Sequence, residues 1–403
     1  TRQQEIVLSD LPEIRLKPKK QGTFLARHPW VLAKSIEVPQ TPPADGAAVD
    51  VVLPDGKWLA RGIYNGQSHI RVRLYSWQRD VPLDEAFWRH RLRAAIELRR
   101  QIGYDRADGA ARLVFSEADG LGGLIVDRYR DHLVVQWTAL AMAARRELIV
   151  SLLAELLQPR GITWRTDRKI AAAEGMEMAE GAAWGEPLPG RMPLEENGVL
   201  FEVELGEGQK TGYYLDQREN HAAAASCLRG RSVLDMFCYV GGFSLTAARA
   251  GAQSVLGIDS SQRAVERAQA NAALNGLEQV RFEVGEGFRA MEELLAAGRR
   301  FGGVVLDPPR FAPSRVALDQ ALRAYHRLNR LGVQLLEPGG ILVTCSCSGR
   351  VSRDEFRQML VGVSRKTRRE IQVLQQRGAA PDHPVHLSVP ETEYLKCFIC
   401  RVE

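Results

Sequence analysis

The feature that most narrows the fold of this 403-residue chain is an alternation that begins near Leu200. Five short apolar runs, at 232–237, 254–259, 280–284, 303–307 and 340–344, take turns with helix-compatible stretches at 243–250, 262–275, 288–297 and 317–336. Strands of nearly continuous apolar character are buried on both faces, so the pattern predicts an α/β unit: a parallel sheet covered by helices on both sides. Ligands of such sheets lie beyond the carboxyl ends of the strands. Polar residues stand there in this chain. Asp235 is near the end of the first run. Tyr239-Val240-Gly241-Gly242-Phe243 follows, with two glycines that let the backbone turn tightly beside a ligand. Asp259 ends the second run, where a carboxylate can accept from both hydroxyls of a ribose.

The third glycine of a dinucleotide-binding G-x-G-x-x-G loop is missing, which favours a nucleoside ligand without phosphates and fits S-adenosylmethionine. The fourth run ends in Asp307-Pro308-Pro309-Arg310-Phe311, a carboxylate fixed ahead of two prolines that remove backbone donors and set φ. A rigid polar group there suits the edge of a planar base. The fifth run ends in Thr344-Cys345-Ser346-Cys347-Ser348-Gly349. Carbon 5 of a pyrimidine is a weak nucleophile until a thiolate adds to carbon 6, and a cysteine at this strand end meets that need. Cys345 and Cys347 share strand parity, so both are candidates.

Upstream, residues 11 to about 78 read as short strands, with a turn at Pro54-Asp55-Gly56. In His69–Tyr75 the alternation places His69, Arg71 and Arg73 on one polar face. Residues 83–102 read as an arginine-rich helix, and strand-like runs at 112–115, 123–126 and 132–137 precede a helix near 143–157. The first 100 residues carry 17 Lys+Arg against 11 Asp+Glu, whereas the remainder is close to neutral. A basic excess at one end suits contact with a polyanion. Lys17, Lys19, Lys20, Arg71 and Arg73 are the expected contacts. The end of the chain reads as a closing hairpin of 385–389 and 395–402. Six cysteines, none before Cys227, do not form a disulfide framework. Cys397 and Cys400 lack a second pair at zinc spacing, so no metal is expected. The first residues lack the blocks of a signal peptide and no apolar run is of spanning length, so the expectation is a cytoplasmic protein without membrane contact.

Several strings resemble a known family. Lys210-Thr211-Gly212-Tyr213-Tyr214-Leu215-Asp216-Gln217-Arg218, Tyr239–Phe243, Asp307–Phe311 and Ser346-Cys347-Ser348-Gly349 are similar to the bacterial large-subunit ribosomal RNA methyltransferase I family, as are Arg27-His28-Pro29-Trp30, Gly56–Gly62 and Glu117–Gly123. The resemblance implies a PUA-like β-barrel at 1–80, an α+β domain of EEHEE pattern at 81–199 and a Rossmann-like class I methyltransferase domain at 200–403. It implies methylation of cytosine carbon 5 in 23S ribosomal RNA with S-adenosylmethionine as cofactor. Tyr213, Leu215, Asp216, Gln217, Arg218, Asp235, Phe237, Tyr239, Gly241, Gly242, Asp259, Ser260, Glu286, Gly287 and Asp307 would line the cofactor site. Asp307, Pro308, Pro309 and Arg310 would meet the base, and Cys347 would be the nucleophile, with Cys345 as the other candidate. Glu286 stands where the family carries an aspartate. Arg310 stands where related cytosine enzymes carry a second cysteine. Competing readings are a uracil C5 methyltransferase, an N-methyltransferase and a catalytically silent assembly factor that binds RNA. A homodimer stays open.

Overall fold

The computed structural model describes residues 11–106, 108–205, 212–311 and 318–403. Lys210 and Thr211 of the family-like string, and the first residues of the chain, lie outside these. The first strands are β1 (Glu13–Arg15), β2 (Trp30–Leu32), β3 (Ala48–Val52), β4 (Trp58–Tyr64) and β5 (Ile70–Ser76), with a one-turn helix α1 (Gly22–Leu25). Their order is β1-β3-β4-β5-β2. An isolated bridge from Leu16 to Ile36 joins the two edges and closes the sheet around Ile14, Leu16, Val31, Val49, Val51 and Val72.

Helix α2 (Glu85–Gln101) follows, with Asp84 capping its first turn through the Phe87 N–H at 2.9 Å. The next sheet holds β6 (Ala110–Phe115), β7 (Leu124–Tyr129), β8 (His132–Trp137), β9 (Gly161–Arg165) and β10 (Gly181–Gly185) in the order β10-β9-β8-β7-β6. Helices α3 (Leu140–Ala143) and α4 (Arg146–Leu157) stand between β8 and β9, and α5 (Arg168–Glu174) follows β9. In chain order α3 and α4 therefore separate β8 from β9, α5 separates β9 from β10, and β6 forms the edge beside β7. Both sheets belong to one compact unit, which also takes in Asp382–Thr392.

The second unit begins with the hairpin β11 (Arg191–Glu196) and β12 (Val199–Glu204) and continues from Gly212 to Pro381 and from Glu393 to the end. Helix α6 (Arg218–Leu228) leads into β13 (Ser232–Met236), α7 (Gly242–Arg249), β14 (Ser254–Asp259), α8 (Gln262–Leu274), β15 (Val280–Val284), α9 (Gly287–Ala296), β16 (Phe301–Leu306), α10 (Leu318–Leu335), β17 (Leu336–Ser346), α11 (Arg353–Thr367), β18 (Ile371–Arg377) and β19 (Lys396–Val402). The strand order is β15-β14-β13-β16-β17-β19-β18, with β13 to β17 parallel and β19 antiparallel to both neighbours. Chain direction across the sheet reverses between β13 and β16, the switch point at which open α/β sheets bind ligands.

The closing hairpin differs from the expectation. β19 pairs with β17 and β18, and residues 385–389 form no strand with it. The reason lies in Asp382, which is buried in the first unit. It receives the Arg112 N–H on its carboxylate at 3.0 Å and the Arg99 guanidinium on its carbonyl at 2.7 Å. Among the described residues no helix is long and apolar enough to cross a membrane.

Candidate active site

The turn after β13 is built under strain. Phe237 and Tyr239 have φ of 66° and 50°, in the left-handed region that costs a non-glycine residue about 1–3 kcal/mol. Four backbone N–H groups hold it. Those of Phe237 and Cys238 donate to the Ile258 carbonyl at 2.8 and 3.1 Å, that of Tyr239 to Asp259 Oδ2 at 3.0 Å, and that of Gly241 to the Cys238 carbonyl at 2.8 Å. Gly241 itself has φ of 94°. A Cβ on Gly242 would stand 2.5 Å from the His221 ring, so only glycine fits there. Asp259 Oδ1 accepts the Ser261 N–H at 2.9 Å, which fixes the carboxylate while each oxygen keeps a second lone pair. Ser260 beside it is exposed, as is Glu286 at the head of α9. Gly287 is buried, and a Cβ there would meet the Phe237 ring at 2.7 Å.

Asp235 is 1% exposed. Its Oδ2 accepts from Ser244 Oγ at 2.6 Å, while Oδ1 has no partner among the described residues. Burial pushes this carboxyl up to about 7, against the Ser244 hydrogen bond, and the charge of Asp307 adds to the rise. A buried carboxylate oxygen without a donor is where a ligand's cationic N–H group can be received.

Asp307 and Cys347 meet at the ends of adjacent parallel strands, β16 and β17. Cys347 Sγ lies 4.0 Å from the Pro308 carbonyl oxygen. Pro308 is buried, and Pro309 and Arg310 are exposed. Gln217 Nε2 donates to Asp307 Oδ2 at 3.0 Å, and the amide is oriented from behind: Gln217 Oε1 accepts from Asn220 Nδ2 at 2.7 Å, and Asn220 Oδ1 accepts from Arg377 Nε at 3.0 Å. The two cysteines are not equivalent. Cys345 is inside the sheet, fully buried and paired across strands with Cys397; burial, then Cys397, pushes its thiol well above the usual range. Cys347 lies past the last strand residue, half-buried. Tyr214 is close by. Burial raises its hydroxyl above the usual range, and the charges of Asp307, Cys347, Asp216 and Asp259 act in the same direction.

Tyr213 Oη and His221 Nδ1 both reach Glu196 Oε1, at 3.0 and 2.6 Å, and Arg218 Nε lies 3.5 Å from Glu196 Oε2. Leu215 is buried, and Asp216 Oδ2 accepts from Tyr394 Oη at 2.5 Å. In the first unit Lys17, Lys19 and Lys20 are exposed and Arg71 is half-buried. Arg73 departs from the expected polar face. It is 9% exposed, with Nη1 on Glu117 at 2.7 Å and Nη2 on Glu174 at 3.3 Å, so its charge is neutralised inside the protein. Cys397 and Cys400 are buried in β19, and no group of three or more metal-binding side chains occurs among the described residues. Sequence reading passed over Asn220, Arg377 and Lys396. Only the last left a trace, a lysine opening an otherwise apolar run.

Residues 175–384 match the family described as S-adenosylmethionine-dependent methyltransferase, and residues 14–77 match the PUA-like domain. The chain is 39% identical to the ribosomal RNA large subunit methyltransferase I of Aeromonas hydrophila, over 96% of this chain and 98% of that protein. It is 38% identical to the protein of the same name from Shewanella amazonensis, over 96% and 99%. Among solved structures, a methyltransferase complexed with SAH superposes with a TM-score of 0.85 at 19% identity, covering 97% of this chain and all (100%) of the other. A protein from Streptococcus mutans described as SAM-dependent gives 0.84 at 19% identity, with the same coverage.

Proposed function

The chain belongs to the ribosomal RNA large subunit methyltransferase I family of S-adenosylmethionine-dependent methyltransferases, and from that membership we propose that it methylates carbon 5 of a cytosine in 23S ribosomal RNA through a covalent adduct with Cys347. The observation that carries this reading is the meeting of a half-buried thiol and a braced carboxyl at neighbouring strand ends, Cys347 beside Pro308 and Asp307 held by Gln217. S-adenosylmethionine, when bound, supplies an electrophilic methyl group. The cofactor fits the residues present: Asp235 Oδ1 is an acceptor without a donor for its ammonium, and Asp259 is a fixed acceptor for its ribose.

The thiolate of Cys347 adds to carbon 6 of the base, which places electron density on carbon 5 and on N3. Asp307, in its protonated form, donates to N3 and stabilises that charge as it builds. Carbon 5 then takes the methyl group, a base takes the carbon 5 proton, the electron pair left behind restores the carbon 5–carbon 6 double bond as the carbon–sulfur bond breaks to release Cys347 as thiolate, and N3 returns its proton to Asp307. Mapping 5-methylcytosine in ribosomal RNA from cells with and without the gene tests the assignment. Appearance of 5-methyluridine instead would select a uracil enzyme, and no missing mark would select an assembly factor.

Asp259→Ala is expected to weaken cofactor binding, since each hydrogen bond to a charged group contributes roughly 1.5–3 kcal/mol. Calorimetry that returns the unaltered affinity would remove Asp259 from the cofactor site.

RNA binding is assigned to the first unit. Of the arginines of α2, Arg89 pairs with Glu85 and Glu155, Arg99 with Asp119, and Arg100 with Asp105 and Glu97. Among the described residues Arg91 has no carboxylate partner; its Nη2 reaches the Tyr75 carbonyl at 3.2 Å and its guanidinium lies 5.3 Å from the Phe87 ring centre. Arg91, Arg27, His90 and Trp77 line a cavity of about 580 Å³ in this unit. Cations beside aromatic rings suit single-stranded RNA. Replacing Lys17, Lys19, Lys20, Arg27 and Arg91 by glutamine should lower affinity for ribosomal RNA and flatten its dependence on salt. The log–log slope should shrink by roughly 0.7 for each phosphate the variant no longer neutralises. A salt titration with the unaltered slope would place the RNA elsewhere.

A further inference from the structure

Lys396 is the first residue of β19, opposite Ser346 of β17, and is 1% exposed. Its Nζ donates to two carbonyls, Ser348 at 2.7 Å and Tyr394 at 2.8 Å. Among the described residues no carboxylate comes within ion-pair distance of it. A buried ammonium without an anion is costly, and two neutral carbonyls compensate only part of that cost. One of those carbonyls belongs to the residue directly after Cys347. The same residue is held on its other side, where Ser348 Oγ and Tyr325 Oη are 3.1 Å apart. The corner that carries Cys347 is therefore fixed from two directions, and one of the two fixing groups is a cation.

The charged groups acting on this ammonium come from several elements. Burial pulls it down to about 8, Cys347 and Glu393 act to raise it, and Arg353 and Arg310 act to lower it. A thiolate is the nucleophilic form of cysteine, and neighbouring cations increase its share. We propose that Lys396 is a positioning residue for the nucleophile: its ammonium holds the Cys347–Ser348 corner through the Ser348 carbonyl and places a positive charge at the corner that carries the thiol, which favours the thiolate. This rests on the reading of Cys347 as nucleophile, and it extends that reading to a group no motif contains.

The test measures thiol reactivity on the whole protein without RNA. Alkylation of Cys347 by iodoacetamide, followed by peptide mass mapping to separate it from half-buried Cys227, gives a rate against pH. Lys396→Met should move the midpoint of that curve upward by about one unit, a tenfold smaller thiolate fraction near neutral pH. Lys396→Gln keeps a hydrogen-bond donor for the two carbonyls and removes the charge, and it serves where the methionine variant does not fold. It should show the same shift, with kcat lowered and KM for RNA unchanged, while Lys396→Arg should restore the curve toward that of the unaltered protein. An unmoved midpoint in a folded Met or Gln variant overturns the proposal. The two readings separate in the same experiment. A shifted midpoint in a protein that traps no RNA adduct supports the role of Lys396 and removes covalent catalysis. An unmoved midpoint in a protein that does trap one removes only the role of Lys396.

Discussion

Cys347→Ala is expected to lose both turnover and the covalent RNA complex, while Cys345→Ala keeps both. Loss of a nucleophile that defines the pathway costs at least about 10⁴-fold in rate. The probe is RNA carrying 5-fluorocytosine at the target position. Carbon 5 of that base has no proton to give up after methylation, so the adduct cannot resolve and remains on the enzyme. The prediction discriminates because the environments differ. The Cys345 thiol faces Cys397 inside the sheet, where burial disfavours the thiolate and no substrate reaches it. Cys347 stands beyond the strand, beside the Pro308 carbonyl. Trapping that survives Cys347→Ala and disappears in Cys345→Ala would reverse the assignment. No adduct in any variant, with turnover intact on ordinary RNA, would remove covalent catalysis and reopen N-methylation.

Asp307→Asn carries the second large effect. Asparagine keeps an oxygen for the Gln217 amide, so the loop after β16 should hold its shape, but it cannot present the same acid proton to N3. Removing one donor aimed at developing charge costs roughly 10²–10³ in kcat. The rate of adduct formation with the 5-fluorocytosine RNA should fall by that amount, with RNA affinity little altered. An unchanged rate in rapid-quench measurements would take Asp307 out of the chemistry. A smaller fall is expected for Gln217→Leu, which removes the brace and leaves the carboxyl in place.

From β13 to β16 the alternation of strands and helices was legible in the sequence to within about two residues, whereas α11 and β18 left no reading. The central parallel strands are buried on both faces, so Val233-Leu234, Val255–Ile258 and Val304–Leu306 announce themselves as apolar runs, and the polar residues ending them fall at the carboxyl edge of the sheet. Asp235, Asp259, Asp307 and Cys347 were singled out as candidates that way, together with the glycine turn between β13 and α7. Parity, however, could not separate Cys345 from Cys347, because alternation holds only within a strand and β17 ends at Ser346.

What only the tertiary structure decided is the set of partners far along the chain. Arg73 looked like a free cation on a strand face until Glu117 and Glu174, 44 and 101 residues away, were seen to neutralise it. Gln217 was marked by its string alone, and only the fold shows its amide donating to Asp307, 90 residues on. The segment after Pro381 read as a strand of the closing hairpin, but Asp382 anchors it to Arg112, 270 residues earlier, and leaves Ile371–Arg377 to pair with β19. Lys396 showed only as a lysine in an apolar run until the fold placed its ammonium on the carbonyl beside Cys347. Periodicity reports whether a residue is buried in its own helix or strand. It carries no signal for which distant charge or carbonyl will meet a buried polar group, and that pairing sets whether such a group binds, braces or activates.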